Sequence, residues 1–158
     1  MTGEYRKHIP ERKRSKHTGR GKGHSFVQMP HHMIQSPQFY RLGGAALKVL
    51  LFLAGQYNGK NNGDLSATES MVRNAGVCTP SKLHGLLAEL EESGFIVKTR
   101  HGIKRMCSLY AITWYGIDEC EGKGLEIAAG PARNDWKKTK PLPPSGGLIT
   151  PLREVKAA

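Results

Sequence analysis

Seven carboxylates lie between residues 25 and 120: Asp64, Glu69, Glu89, Glu91, Glu92, Asp118 and Glu119. The last four flank helices or tails and do not suggest a two-carboxylate acid–base site. No Gly-Lys-Ser/Thr phosphate loop and no His-Glu-x-x-His zinc motif occurs, and the run Gly19-Arg20-Gly21-Lys22-Gly23 has no strand–helix unit behind it. Cys78 sits where a helix N-terminus can acidify a thiol, but such a residue is more often a small core filler. Cys78, Cys107 and Cys120 include no Cys-x-x-Cys pair, and His31-His32 with a distant cysteine does not supply four zinc ligands. The chain therefore reads as non-enzymatic, with no metal and no cofactor. What it has in excess is cations: 24 Lys+Arg against 13 Asp+Glu, a net +11. The chemistry this favours is electrostatic capture of a polyanion.

That excess is uneven. Residues 1–24 hold eight basic and two acidic residues, whereas residues 25–120 hold nine and seven. Residues 121–158 hold seven and four. Arg12, Lys13, Arg14, Lys16, Arg20 and Lys22 fall in a first segment with almost nothing apolar, which cannot bury enough surface to fold alone. It reads as a disordered basic arm able to track phosphates. A nuclear address, or a tail that only aids solubility, are the other readings. An odd number of widely spaced cysteines points to a reducing compartment, and no run of 18 apolar residues and no apolar signal core occurs. The expectation is a soluble, cytoplasmic protein without a membrane partner.

The elements that would present the charge lie between residues 66 and 114. Ser66 stands three residues before Glu69, the spacing of a capping box, so a helix is expected from Ala67. Met71, Val72 and Ala75 give it an apolar face, and Gly76 ends it. Thr79 is the expected N-cap of the next helix, with Pro80 at its first position. Leu83, Leu86, Leu87 and Leu90 then form one buried stripe. Ser81, Lys82, His84, Gly85 and Ala88 lie off that stripe, small or polar and near the helix N-terminus, while Glu89, Glu91 and Glu92 gather at the other end. After Ser93-Gly94, residues 95–100 and 105–114 are rich in β-branched and aromatic residues. They predict a hairpin whose tip carries Arg100, His101, Lys104 and Arg105. Helix, turn, helix and basic hairpin in this order describe an α+β winged helix-turn-helix. Its second helix would meet base edges and its wing would meet phosphates or the minor groove.

Around that unit, Phe26 to Pro30 opens the domain, and Ser36-Pro37 predicts a capped turn. Residues 45–58 form the most apolar helix, with Ala46, Leu50, Leu53 and Tyr57 in one line. Val49 and Phe52 broaden its face, which suits either plain core or a second copy in a homodimer. Residues 58–64, Asn-Gly-Lys-Asn-Asn-Gly-Asp, read as a loop whose amides and Lys60 approach a phosphate backbone, or as a surface excursion. Leu65 is expected to pair with the wing. The domain is drawn at residues 25–118, and residues 119–158 read as an extended, basic, Pro- and Gly-containing tail that a protein partner could order.

The run Gln56-Tyr57-Asn58-Gly59-Lys60-Asn61-Asn62-Gly63-Asp64-Leu65-Ser66, the helix pair through Gly94-Phe95-Ile96, and Cys107-Ser108-Leu109-Tyr110-Ala111-Ile112-Thr113-Trp114 resemble small helix-turn-helix proteins of bacterial prophages and other mobile elements. More distantly, the architecture is similar to the N-terminal winged-helix domains of phage and plasmid replication initiators. The resemblance covers about residues 26–118 and implies DNA binding in a bacterial cytoplasm, at the nucleoid, in transcription or replication. This chain departs from the tight-turn pattern in one respect. Counted from Gly76, Leu83 and Leu86 fall one residue late, which one extra residue within Cys78-Thr79-Pro80 would explain.

Double-stranded DNA is thus the first expected partner. Candidate contacts are Thr79, Ser81, Lys82, His84 and Gly85 on the helix, Arg100, His101, Lys104 and Arg105 on the wing, Lys60 in the loop, and the six named cations of the arm. An RNA- or ribonucleoprotein-binding module and a protein-interaction winged helix are the alternatives, since one fold hosts all three.

Overall fold

Two glycines frame the central unit. Gly76 and Gly94 have φ of 62° and 76°, the left-handed region that costs glycine nothing. At the first, the Val77 amide donates to the Val72 carbonyl at 3.0 Å, and at the second Phe95 donates to Leu90 at 3.0 Å. Both are six-to-one helix closures that satisfy an otherwise orphaned carbonyl and turn an apolar residue back onto the helix.

The structure, a computed structural model, describes residues 26–138. It is a mixed α+β arrangement with five helices and a two-stranded antiparallel sheet among those residues. The helices are α1 (His31–Ile34), α2 (Pro37–Arg41), α3 (Gly44–Ala54), α4 (Glu69–Asn74) and α5 (Pro80–Glu92). The strands are β1 (Ile96–Arg100) and β2 (Leu109–Ile112), and a 3₁₀ turn covers Asp135–Lys137. Among the described residues no helix is long and apolar enough to cross a membrane.

The expected α4 start is corrected. The cap is Thr68, whose hydroxyl accepts from the Met71 amide at 3.3 Å, not Ser66. Leu65 bridges to Tyr110, and Ser66 is then held by Gln56, which accepts from its amide at 3.1 Å and donates to its carbonyl at 2.9 Å. A residue pinned on both backbone groups cannot enter a helical turn. The five residues 75–79 separate α4 from α5, which accommodates the late leucines. Thr79 caps α5 as expected, through its carbonyl and without a side-chain bond.

Leu83, Leu87 and Leu90 are buried, and Leu86 packs partly against the same core. They meet Leu50, Leu53 and Ala54 of α3, together with Phe95 and Ile112. The helix α3 stops at Ala54 rather than at residue 58. Val49 is fully buried within the chain and Phe52 packs against its core, so these residues do not form a free face for a second copy. Leu51 is the exposed large apolar residue of α3.

Of the β-rich residues 105–114, β2 takes up only Leu109–Ile112. Ile96 pairs with Ile112, Val97 with Ala111 and Lys98 with Tyr110, then the register shifts at Thr99. This bulge is buried and satisfied. The Thr99 hydroxyl donates to the Gly63 carbonyl at 2.6 Å, and its carbonyl accepts from the Glu126 amide at 2.7 Å.

The packed chain also continues past residue 118, where the sequence placed the domain boundary. Ile117 bridges to Gly130, the Asn134 amide donates to the Thr113 carbonyl at 2.8 Å, and the Trp136 amide donates to Gly94 at 3.0 Å. The Trp136 ring is buried and stacks on Phe95, with centroids 6.4 Å apart and planes at 4°. At the other end, Trp114 Nε1 and Tyr115 Oη both donate to the Gln28 carbonyl, at 3.1 and 2.9 Å.

Candidate nucleic-acid interface

Helix α5 divides cleanly along its length. Thr79, Ser81, Lys82, His84 and Gly85 are all exposed, on the side opposite the leucine stripe. The acids at its other end are partly consumed by the body of the protein. Glu89 accepts from the Gly43 amide at 3.2 Å, and Glu91 pairs with Lys98 at 3.1 Å. The exposed N-terminal half is left with Lys82, the His84 imidazole and the positive end of the helix dipole.

Gly85 stands mid-helix, where glycine costs about 0.5–1 kcal/mol relative to alanine. A Cβ placed there would meet nothing within 4 Å. No neighbour in the described chain requires the missing side chain.

A cleft of about 400 Å³ opens beside this surface, between the start of α3 and the turn before α5. Lys48 and Lys82 line it, with Thr79 and the partly buried Cys78. Lys48 is a basic residue that sequence reasoning passed over. Its signal was present: it is the single charged residue of α3, and on so apolar a helix a lysine marks the side that faces water.

The hairpin brings together fewer of its predicted cations. Lys104 and Arg105 form the apex of a two-residue turn closed by the Ile103–Met106 bridge, and both are exposed. Arg100 and His101 are not at the tip. The Arg100 guanidinium donates to the carbonyls of Lys123 and Cys107. His101 donates its backbone amide to Glu126 at 2.8 Å, and its Nδ1 lies 2.6 Å from the other oxygen of that carboxylate. Those bonds lower the Glu126 pKa, the backbone amide most and the imidazole next. Arg100 and His101, expected to hold phosphate, are thus engaged within the chain, where residues 123 and 126 use them to brace the hairpin. Nothing in the strand pattern alone signalled this.

Lys60 is exposed, but its loop is not an open cradle of amides. The Asn58 amide donates to Asn61, the Lys60 amide to Asn58 and the Asn62 amide to Asp118, at 2.8, 3.0 and 2.8 Å. The loop's centre is the fully buried Asn62, which sequence reasoning treated as a turn residue. Arg12, Lys13, Arg14, Lys16, Arg20 and Lys22 lie outside the described residues.

Among the described residues no group of three or more His, Cys, Asp and Glu is placed to hold a metal ion. No family model, no curated protein and no solved structure matches this chain.

Proposed function

We propose that the chain is a winged helix-turn-helix that binds double-stranded DNA without catalysis, as a transcription or replication accessory factor of a bacterial mobile element. In this reading α5 enters the major groove by its N-terminal half, and the hairpin is the wing. The observation that carries it is Gly85. A helix keeps a destabilising residue, in open space, in the middle of a face bearing Ser81, Lys82 and His84. A bare backbone there admits a base edge or sugar to close approach. Lys48 and Lys82, across their cleft, add backbone grip. Outside the described residues, the cations of residues 1–24 extend the phosphate contacts and steepen the salt dependence.

A second reading rests on Phe26 and Tyr40, which are 77% and 64% exposed. Exposed rings are platforms on which single-stranded RNA stacks.

The discriminating experiment is a gel-shift series with duplex DNA, single-stranded DNA, single-stranded RNA and duplex RNA at one salt concentration. The DNA reading expects the tightest binding to duplex DNA, with a selectable sequence preference. Preference for a single strand, lost in Phe26→Ala with Tyr40→Ala, would favour the second reading.

A further inference from the structure

The apex of the hairpin is apolar as well as basic. Ile103 and Met106 are 63% and 45% exposed, and neither belongs to the core. They face each other as a hydrogen-bonded antiparallel pair. The Ile103 amide donates to Met106 at 3.1 Å and the Met106 amide donates to Ile103 at 2.8 Å. Residues so paired put their side chains next to one another on the same face. Lys104 and Arg105 stand between them at the turn, and among the described residues no ion pair engages either.

Two features make this tip a projection of fixed shape. Below it, Arg100 ties the two arms together through the Cys107 carbonyl at 2.9 Å, Gly102 donates to the Ser108 hydroxyl at 3.0 Å, and Glu126 holds the His101 amide. At the apex, Arg105 has φ of 71°, a conformation usually left to Gly or Asn at the second of the two central turn positions. An arginine kept there against backbone preference indicates that its side chain has a use.

We propose that the hairpin tip is a minor-groove wedge: Ile103 and Met106 enter between base steps of duplex DNA while Lys104 and Arg105 hold the flanking phosphates, so that the bound DNA is bent. The inference rests on the DNA-binding reading above. The occupant follows from charge and shape together. Two unpaired cations around a narrow apolar pair suit a groove walled by phosphates and floored by base edges. Apolar side chains used this way unstack a step and kink the duplex by about 20–90° toward the major groove.

The test uses the full chain and a short duplex recovered by binding-site selection, with a donor dye at one end and an acceptor at the other. Saturating wild-type protein should raise energy transfer, and 2-aminopurine at the kinked step should brighten. Ile103→Ser with Met106→Ser changes only exposed side chains. It should still bind but leave both signals at the free-DNA level. Lys104→Ala with Arg105→Ala should weaken binding yet restore the bend at saturation. A wild-type protein that binds without bending, or a serine variant that bends as wild type does, overturns the wedge and leaves DNA binding intact. A wild-type protein that binds no duplex overturns both. Binding to phosphatidylserine vesicles that the serine variant loses, with no bend in DNA, would assign the tip to a membrane surface instead.

Discussion

Asn62 and Ile112 hydrogen-bond to each other twice, the carboxamide donating to the Ile112 carbonyl at 2.9 Å and accepting from the Ile112 amide at 2.8 Å. The same Nδ2 also donates to Tyr115 and Gly116, at 3.3 and 2.7 Å. One fully buried side chain thus closes the end of β2 and the turn after it, in place of a neighbouring strand. Each buried group left unpaired costs about 1–3 kcal/mol. Asn62→Ala and the similar-sized Asn62→Leu should therefore both lower stability by at least that much in urea unfolding. Either variant within experimental error of wild type would contradict the role.

Trp136 should anchor the C-terminal segment to the body of the protein. Trp136→Ala should cost about 3–5 kcal/mol, the range for deleting a buried aromatic side chain. Gly94→Ala should be severe as well, since its Cβ would fall 2.5 Å from the Trp136 amide nitrogen. If Trp136→Ala melts as wild type does, segment 119–138 is not part of the folded unit.

The helices and the order of elements were legible because their signals are local. Thr79-Pro80, the leucine stripe of α5 and the two glycine closures each lie within a few residues of what they control. The misreadings have a common physical origin in long-range partners. Ser66 fits a capping box until Gln56 takes both its backbone groups. Arg100 and His101 fit a basic tip until residues 123 and 126 fold back on them. Asn62 fits a surface turn until β2 arrives to bury it. Segment 119–138 lacks periodicity because one isolated bridge, scattered backbone hydrogen bonds and one tryptophan hold it, not an α-helix or strand of its own.

Acid should weaken the hairpin brace. Glu126 is held below its ordinary pKa of 4.5 by His101. A depressed folded value means the contribution is complete above the unfolded pKa and is lost as pH falls through the folded one. Glu126→Gln should therefore flatten the fall of melting temperature on the acid side of the carboxylate range. The effect should be small and salt-sensitive because both partners are exposed. A pH series of thermal melts reads it, and identical acid slopes would contradict the pairing.

Gly85→Ala should move stability and binding in opposite directions. Alanine fits the helix without contact, so unfolding should become harder by about 0.5–1 kcal/mol. Affinity for a selected duplex should fall, because the added methyl meets the DNA. A stabilised protein with undiminished affinity would remove Gly85 from the interface.

The central claim is that the N-terminal half of α5 reads bases while the hairpin apex adds affinity. Base-edge contacts discriminate by about 1–3 kcal/mol each, and phosphate contacts do not discriminate. The most direct measurement titrates Lys82→Ala, His84→Ala and Lys104→Ala with Arg105→Ala against a selected duplex and a random one at a single salt concentration. The two helix variants should narrow the gap between the duplexes, while the apex variant should weaken binding to both alike. Helix variants that keep the full wild-type gap would contradict it.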